Sequence, residues 1–285
     1  MSCEEDIQVS VCIITYNQEK YIGQCLDSLI SQETNFKFEI IVAEDCSTDG
    51  TREIIQSYIE KYPDLIVPLF HSKNVGPVEN VKQAYKKAKG KYIAHLDGDD
   101  IALFGKLQRQ YDVLEANRDC SICVHNMKAI DRNGIATGKT FKTHKETKYK
   151  LLDLYLSSPL FIHSSKMFTN QLFEYIDQMN ENALDLEFHI EQAKLGDIYV
   201  LAEELGAYRQ FVGVTYRNNL INEIIPTRVV SVFENVENNR FSKNENVLIK
   251  KRYSYILLKY SYYYMRYFEF KKSMLYLVKF IRTKI

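Results

Sequence analysis

At 285 residues, with 46% hydrophobic and 26% charged residues, the chain can bury a full core and has the composition of a globular protein. Formal net charge is zero but unevenly placed: Lys243 to Ile285 holds eleven Lys or Arg against two Glu, so the remaining 242 residues are net acidic and the tail alone suits an anionic partner. No apolar run reaches the roughly 18 residues of a spanning helix, and the acidic start (Met1-Ser-Cys-Glu-Glu-Asp) lacks the apolar core of a secretory leader, so neither is expected.

Val9 to Ile14 is apolar at both parities, the pattern of a strand covered on both faces. Thr15-Tyr16-Asn17 follows, and Glu19 to Ser31 repeats apolar residues at helical spacing. Phe38 to Ala43 is a second buried strand, stopping at Glu44-Asp45-Cys46-Ser47-Thr48-Asp49; a second helix then runs to Pro63. Leu65 to Phe70 is a third strand, for which Pro68 argues an edge position or a short pairing. Asn74 to Pro77 turns into a helix over Val78 to Lys89, ended by Gly90. A short apolar strand then runs into Asp97-Gly98-Asp99-Asp100. This alternation predicts a doubly wound, mostly parallel α/β sheet, whose ligands sit beyond the carboxyl ends of the strands. The polar clusters at Thr15–Asn17, Glu44–Asp49 and Asp97–Asp100 all fall at those ends.

Further on, a helix is expected over Lys106 to Asn117, a strand over Ser121 to Ile130 and a hairpin turn at Asp131 to Gly134. Thr137 to Lys150 is polar and without period, and reads as a mobile loop. A short helix (Leu151 to Ser157), a strand (Phe161 to Phe168), a helix (Asn170 to Met179) and an amphipathic helix (Ala183 to Leu195) follow. Ile198 to Ala202 and Leu205 to Phe211 read as the last two strands. The tail, Val247 to Ile285, mixes Tyr, Phe and Leu with Lys and Arg at helical spacing: either one or two interfacial helices resting on anionic lipid or a helical hairpin packed on the catalytic domain or a partner. No nucleic-acid module accompanies it, so nucleic acid is not an expected partner.

Three carboxylates around one glycine repel each other unless a cation sits among them, and hard oxygen ligands suit Mg²⁺ or Mn²⁺. The plainer alternative is an acidic turn that caps the next helix. The first strand is followed neither by a G-x-G-x-x-G turn nor by a Walker A loop, so a metal held by Asp97, Asp99 and Asp100 is the natural anchor for a diphosphate. Tyr16 offers a flat face to a base, and Asp45 can accept hydrogen bonds from a base or ribose. Cys120 and Cys123 have CxxC spacing, but no second pair completes a zinc site, and the six cysteines read as reduced thiols.

The segments V-C-I-I-T-Y-N (Val11–Asn17), E-D-C-S-T-D-G-T (Glu44–Thr51), K-N-V-G (Lys73–Gly76), Gly90–Tyr92 and L-D-G-D-D (Leu96–Asp100), in this order and spacing, resemble family 2 glycosyltransferases of the GT-A fold. Asp185 to His189 and Tyr208-Arg209 resemble the acceptor half of that family more weakly. The resemblance implies a metal-dependent, inverting transfer of sugar from a nucleotide diphosphate, UDP for preference, to a hydroxyl of a glycan or lipid-linked acceptor. It implies that Thr15, Tyr16, Asn17, Glu19, Asp45, Asn74, Asp97 and Gly98 line the nucleotide-sugar site, that Asp97, Asp99 and Asp100 hold Mn²⁺ or Mg²⁺, and that Asp185 is the general base. His163, Ser164 and His125 are candidates for acceptor contact, against the usual fate of a lone strand histidine as a satisfied core residue. The family often has His where Phe211 stands and an acidic residue where Leu184 stands.

The expected organisation is a catalytic domain over 1–215 (nucleotide-sugar half 8–105, acceptor half 106–215) and a helical, basic-aromatic region over 216–285. The expected setting is cytoplasmic, peripheral at the inner face of a membrane. The rivals are a sugar-nucleotide-binding scaffold that has lost turnover and a nucleotidyltransferase, although the latter needs a basic glycine-rich loop that Thr15 to Glu19 does not supply.

Overall fold

Strand and helix alternate through the first hundred residues as the periodicity requires: β1 (Val9–Thr15), α1 (Ile22–Ile30), β2 (Phe38–Glu44), α2 (Thr51–Lys61), β3 (Ile66–Phe70), α3 (Pro77–Lys87) and β4 (Tyr92–Asp97). A computed structural model of the chain describes residues 6–141, 143–171, 173–210, 216–217 and 220–283. The two parities of each central strand enter different cores. Val9, Val11 and Ile13 pack with Leu26 and Leu29 of α1, whereas Cys12 packs with Ala84 and Tyr85 of α3. Gly90 lets the chain pass against β1, since a Cβ there would lie 2.5 Å from the Ser10 amide nitrogen.

Next come β5 (Ile101–Ala102), α4 (Lys106–Ala116), β6 (Cys120–Ile130), β7 (Ala136–Phe141), β8 (Thr147–Tyr149), α5 (Leu151–Ser157), a 3-10 turn (His163–Ser165), β9 (Met167–Thr169), α6 (Phe173–Ile176), α7 (Asp185–Ala193) and β10 (Asp197–Arg209). The main sheet runs β3-β2-β1-β4-β9-β6-β10-β5, with β7 on β6 and β8 on β10. Strands β3, β2, β1 and β4 are parallel, with Pro68 on the outermost. The short β9 is antiparallel to both β4 and β6 and joins the two parallel parts. Winding reverses between β1 and β4, the place where doubly wound sheets open a crevice.

Three sequence expectations are corrected. Thr137 to Lys150 is not a loop throughout: Ala136–Phe141 pairs with β6 and Thr147–Tyr149 with β10. Neither strand is fully buried at any residue, and both are short and polar, so they lack the apolar pattern that marks a core strand. Phe161 to Phe168 is mostly turn, because the Ser165 hydroxyl donates to Ile162 O (2.7 Å) and bends the chain, leaving only Met167–Thr169 as strand. The last two strands are one, β10, whose register against β6 slips at Leu201/Glu204 and Glu204/Gly206. Phe211 lies outside the described residues.

Beyond a small hairpin, β11 (Tyr216–Arg217) with β12 (Leu220–Ile221), come α8 (Ile224–Glu234), a 3-10 turn (Asn238–Arg240), α9 (Lys243–Arg266) and α10 (Phe270–Arg282). Ser242 and Glu245 cap the start of α9 reciprocally. Ile249 and Ile256 join the core of the body, and Tyr253 stacks on Phe233 of α8. Helix α10 folds back on α9, with the Ser261 hydroxyl donating to Ser273 O (3.0 Å) and Tyr264 stacked on Tyr276. The inner face of the tail is therefore packed on the body, as the hairpin alternative expects. Its outer face leaves Tyr262, Phe268 and Phe270 exposed at 67%, 80% and 61%. Among the described residues, no helix is long and apolar enough to cross a membrane.

Candidate active site

Register brings three strand ends level. Ile14 pairs with Asp97 and Thr15 with Glu44, so the residues that follow β1, β2 and β4 share one rim. They form the polar end of a cavity of about 650 Å³, lined there by Thr15, Tyr16, Gln18, Asp45, Asn74, Asp97 and Asp99. The other end is lined by Phe141, Phe161, His163, Leu186 and Tyr208, with Asp185 at the first residue of α7.

At the polar end, Asp97 Oδ1 lies 3.2 Å from His95 Nε2 and Oδ2 accepts from the Ser164 hydroxyl at 3.1 Å. Burial opposes its ionisation, but these hydrogen bonds hold the carboxyl below its ordinary value. Asp99 goes the other way: burial first, and then the charge of Asp97, push it up to about 7. Close packing shapes this corner, since a Cβ on Gly98 would meet Gln18 Oε1 at 2.4 Å and Thr15 Cβ at 2.9 Å. Gln18 Oε1 and Thr15 Oγ1 are buried there without a hydrogen-bond partner. Two facing carboxylates and orphaned oxygens make an all-oxygen donor set that fits a hard divalent cation. Among the described residues no three His, Cys, Asp or Glu side chains are grouped to hold a metal by themselves. Such an ion would take its other ligands from a diphosphate and water, as Mg²⁺ commonly does.

Asp100 is not part of this set. Its carboxylate is buried behind the rim and Oδ1 accepts from the Arg209 N–H at 2.9 Å. Burial, then Asp97 and Asp99, push its pKa well above the carboxylate range. Because it is buried, does not line the cavity and accepts from the Arg209 amide, its expected place among the metal ligands is corrected to a position behind them. The Arg209 side chain is buried too. It donates to Asp99 O, Asp131 O, Arg132 O and Gln24 Oε1 and lies over the Tyr21 ring, tying the carboxylate turn to α1 and the β6–β7 turn.

Asp45 reaches the cavity, with its oxygens accepting from the Val75 and Gly76 N–H groups at 2.6 and 3.0 Å. Asn17 and Glu19 do not line it. Asn17 Oδ1 accepts from Thr48 N–H, and Glu19 Oε2 from Gly50 N–H, so both pin the loop after β1 to the start of α2 rather than face a nucleotide.

Asp185 stands opposite Asp97. Its side chain is open to the cavity (71% exposed), and desolvation by the surrounding cavity walls, followed by the charge of Asp97, pushes it up to about 6. The backbone N–H of Leu184 donates to Glu187 Oε2 (2.9 Å), which closes the helix start, and Arg228 of α8 pairs with Glu187. His163 lines the cavity, with Nδ1 3.0 Å from His189 Nε2 and 3.7 Å from Asp185 Oδ1. Burial, then His95, Lys166 and His189, hold its pKa well below the ordinary histidine value. Lys166 is fully buried among Tyr85, Phe168 and Phe188, and burial lowers its pKa to about 7.

Two acceptor candidates are displaced. Ser164 is buried behind Asp97 and positions it. His125 is a core residue, held by Asn126 O at 2.8 Å and Lys106 Nζ at 3.1 Å, and it does not reach the cavity. The sequence reading missed Gln18, Lys166, Phe141 and Phe161, and named Arg209 only as part of a motif. Only Gln18 carried a signal, its place directly after the first strand's polar cluster.

Residues 10–176, more than half of the chain, match the family described as Glycosyl transferase family 2. The chain belongs to that family. A protein of Mycobacterium tuberculosis, Rv1520, is 32% identical over 204 residues, covering 71% of this chain and 58% of its own. The poly(ribitol-phosphate) beta-glucosyltransferase of Bacillus spizizenii is 29% identical over 212 residues, 74% of this chain and 31% of that protein. This chain thus spans well under two thirds of the length of these relatives. Among solved structures, S. aureus TarS 1–349 in complex with UDP-GlcNAc is similar with a TM-score of 0.69 at 21% identity, over 97% of this chain and 81% of that one. The fold of this family 2 member is the GT-A fold.

Proposed function

We propose that the chain transfers a sugar from a nucleotide diphosphate, UDP for preference, to a hydroxyl of a glycan or lipid-linked acceptor in polysaccharide synthesis, with inversion at the anomeric carbon. The observation that carries this is one cavity with a carboxylate pair, Asp97 and Asp99, at one end and the single carboxylate of Asp185 at the other. A binding scaffold has no need of the second end. In this reading Tyr16 stacks on the base, Asp45 and Asn74 take the nucleoside edge, and Asp97 with Asp99 holds Mg²⁺ or Mn²⁺. Bound there, the cation supplies charge neutralisation for the departing diphosphate. Asp185 takes the proton of the acceptor hydroxyl on a carboxylate oxygen as that hydroxyl attacks from the face opposite the leaving group. Phe141, Phe161 and Leu186 shield the reacting atoms from water. The relatives' names, which include a glucosyltransferase and a UDP-GlcNAc complex, support the donor class.

The test is a panel of nucleotide sugars with Mg²⁺ or Mn²⁺, read by thermal shift and by release of the nucleoside diphosphate. A UDP-specific shift that Asp99→Ala abolishes is expected. A metal-independent shift, or none with any nucleotide sugar, rejects the reading.

The tail supports a second, separable reading: peripheral attachment at the cytoplasmic face. The turn between α9 and α10 exposes Phe268 and Phe270 between Arg266 and Lys271, apolar residues bracketed by cations as at an anionic lipid surface. Flotation with anionic but not zwitterionic liposomes is expected, and Phe268→Ser with Phe270→Ser should weaken it. Equal recovery with both lipids contradicts attachment by this route.

A further inference from the structure

The acceptor end of the cavity is walled by aromatic rings from separate segments: Phe141 on β7, Phe161 and His163 at the turn before β9, His189 on α7 and Tyr208 on β10. Phe161 lies on the His189 ring, with centroids 4.3 Å apart and 35° between the planes, and His189 stacks on His163 at 5.1 Å. Phe141 and Tyr208 form a second pair at 6.3 Å, and both are half-buried, so part of each ring stays open. Burial is the first cause that holds both imidazoles well below their ordinary value, so they meet a ligand as neutral rings.

Charge on this wall is of one sign. Among the described residues, the side chains that line the cavity and carry charge are Asp45, Asp97, Asp99 and Asp185. Two buried cations lie behind the wall without lining it. Lys166 is enclosed by Tyr85, Phe168 and Phe188 with Nζ 3.2 Å from Gln192 Oε1, and the Arg209 guanidinium is engaged by backbone carbonyls and Gln24. A divalent cation at Asp97 and Asp99 leaves the balance as it is, because the diphosphate it would hold brings its own negative charge. A carboxylate or phosphate brought beside Asp185 therefore meets like charge in a partly enclosed space, where screening is weaker than at a surface. A pyranose ring has no charge and one face of C–H groups, which aromatic rings cover favourably. Its hydroxyls find partners in Asp185, the imidazole nitrogens and the Tyr208 hydroxyl.

We propose that the acceptor is an uncharged sugar ring whose C–H face rests on Phe141 and Tyr208, and that the cavity excludes acceptors whose reacting residue is a uronate or a polyol phosphate. This narrows the acceptor class, and it rests on the reading of the cavity's two ends as donor site and base. A lipid-linked acceptor then keeps its phosphate outside the cavity and presents only a neutral sugar to Asp185.

The test uses the full chain with UDP and Mg²⁺, whose binding is established first by calorimetry. Dissociation constants are then measured by ligand-observed NMR for the methyl glycosides of glucose, galactose and N-acetylglucosamine, for methyl glucuronide and methyl galacturonide, and for ribitol 5-phosphate. Glucoside and glucuronide differ only at C6, so their ratio isolates the charge. The best neutral glycoside is expected to bind about tenfold or more tightly than either uronide or the polyol phosphate, the effect of a like charge within a few ångströms. Tyr208→Ala should weaken it about fivefold, the loss of one apolar contact, with UDP affinity within about twofold of wild type. Phe141→Arg places a cation at the end of β7 and should reduce the glucoside-over-glucuronide preference about threefold or more. A uronide or polyol phosphate that binds as tightly as the best neutral glycoside overturns the proposal. So does the absence of binding by every neutral glycoside, or a ratio that Phe141→Arg leaves unmoved while UDP still binds. Failure of UDP and Mg²⁺ to bind wild type rejects the donor reading instead, and the same ranking on the free protein still decides the acceptor class.

Discussion

The two ends of the cavity are built differently. The polar end is made by chain segments that leave parallel strands at the same level, each strand backed by its own helix, so a few short-range rules fix where Tyr16, Asp45 and Asp97 stand. The other end is assembled from a β-ribbon (Phe141), a turn (Phe161, His163), a helix start (Asp185) and a bulged strand (Tyr208), elements brought together from separate parts of the chain. In the proposed reading the regular frame serves the nucleotide, and the wall assigned to the acceptor is held largely by long-range contacts. Changes at the first end should act on donor binding, and changes at the second on catalysis and acceptor use.

The largest effect that sharpens this contrast is expected from Asp185→Asn. It should lower kcat by roughly 10²–10⁴-fold, the span of a lost general base, with the UDP-dependent thermal shift retained. Loss of that shift would merge the two ends into one. Next is pH. With the Asp185 pKa near 6, the base form is present above that value, so kcat/KM should fall about tenfold per unit below pH 6 and level off above it. An acid limb that persists unchanged in Asp185→Asn would assign it to another group. Gly98→Ala should act on the polar end alone: its Cβ would meet Gln18 and Thr15 closer than 3 Å, which should lower UDP affinity and stability by about 1–3 kcal/mol in binding and denaturation assays. Phe141→Ala is the smallest, an increase of about fivefold in acceptor KM, equivalent to roughly 1 kcal/mol of lost apolar contact, with UDP affinity unchanged.

The same contrast governs what the sequence reveals. Strands β1 to β4 are legible because both parities are apolar and each strand is punctuated by a polar cluster and a helix. Strand β9 has three residues and exists only because β4 and β6 flank it. Lys166 looks like an ordinary surface cation in sequence, but tertiary packing seats it on three aromatic rings. His95 reads as a satisfied core histidine, which it is, yet its partners are Asp97 and Tyr85. Asp100 misleads for the opposite reason: three carboxylates adjacent in sequence suggest one ligand set, but the turn after β4 points Asp100 inward to the Arg209 amide.

The buried Arg209 side chain has a consequence for how the two ends move. It draws together the backbone beside Asp99, the β6–β7 turn and α1, and it belongs to the strand that also carries Tyr208 into the cavity. If the cavity takes both substrates as proposed, a displacement of that strand's end by an arriving acceptor is expected to reach the peptide next to Asp99 through the Arg209 side chain.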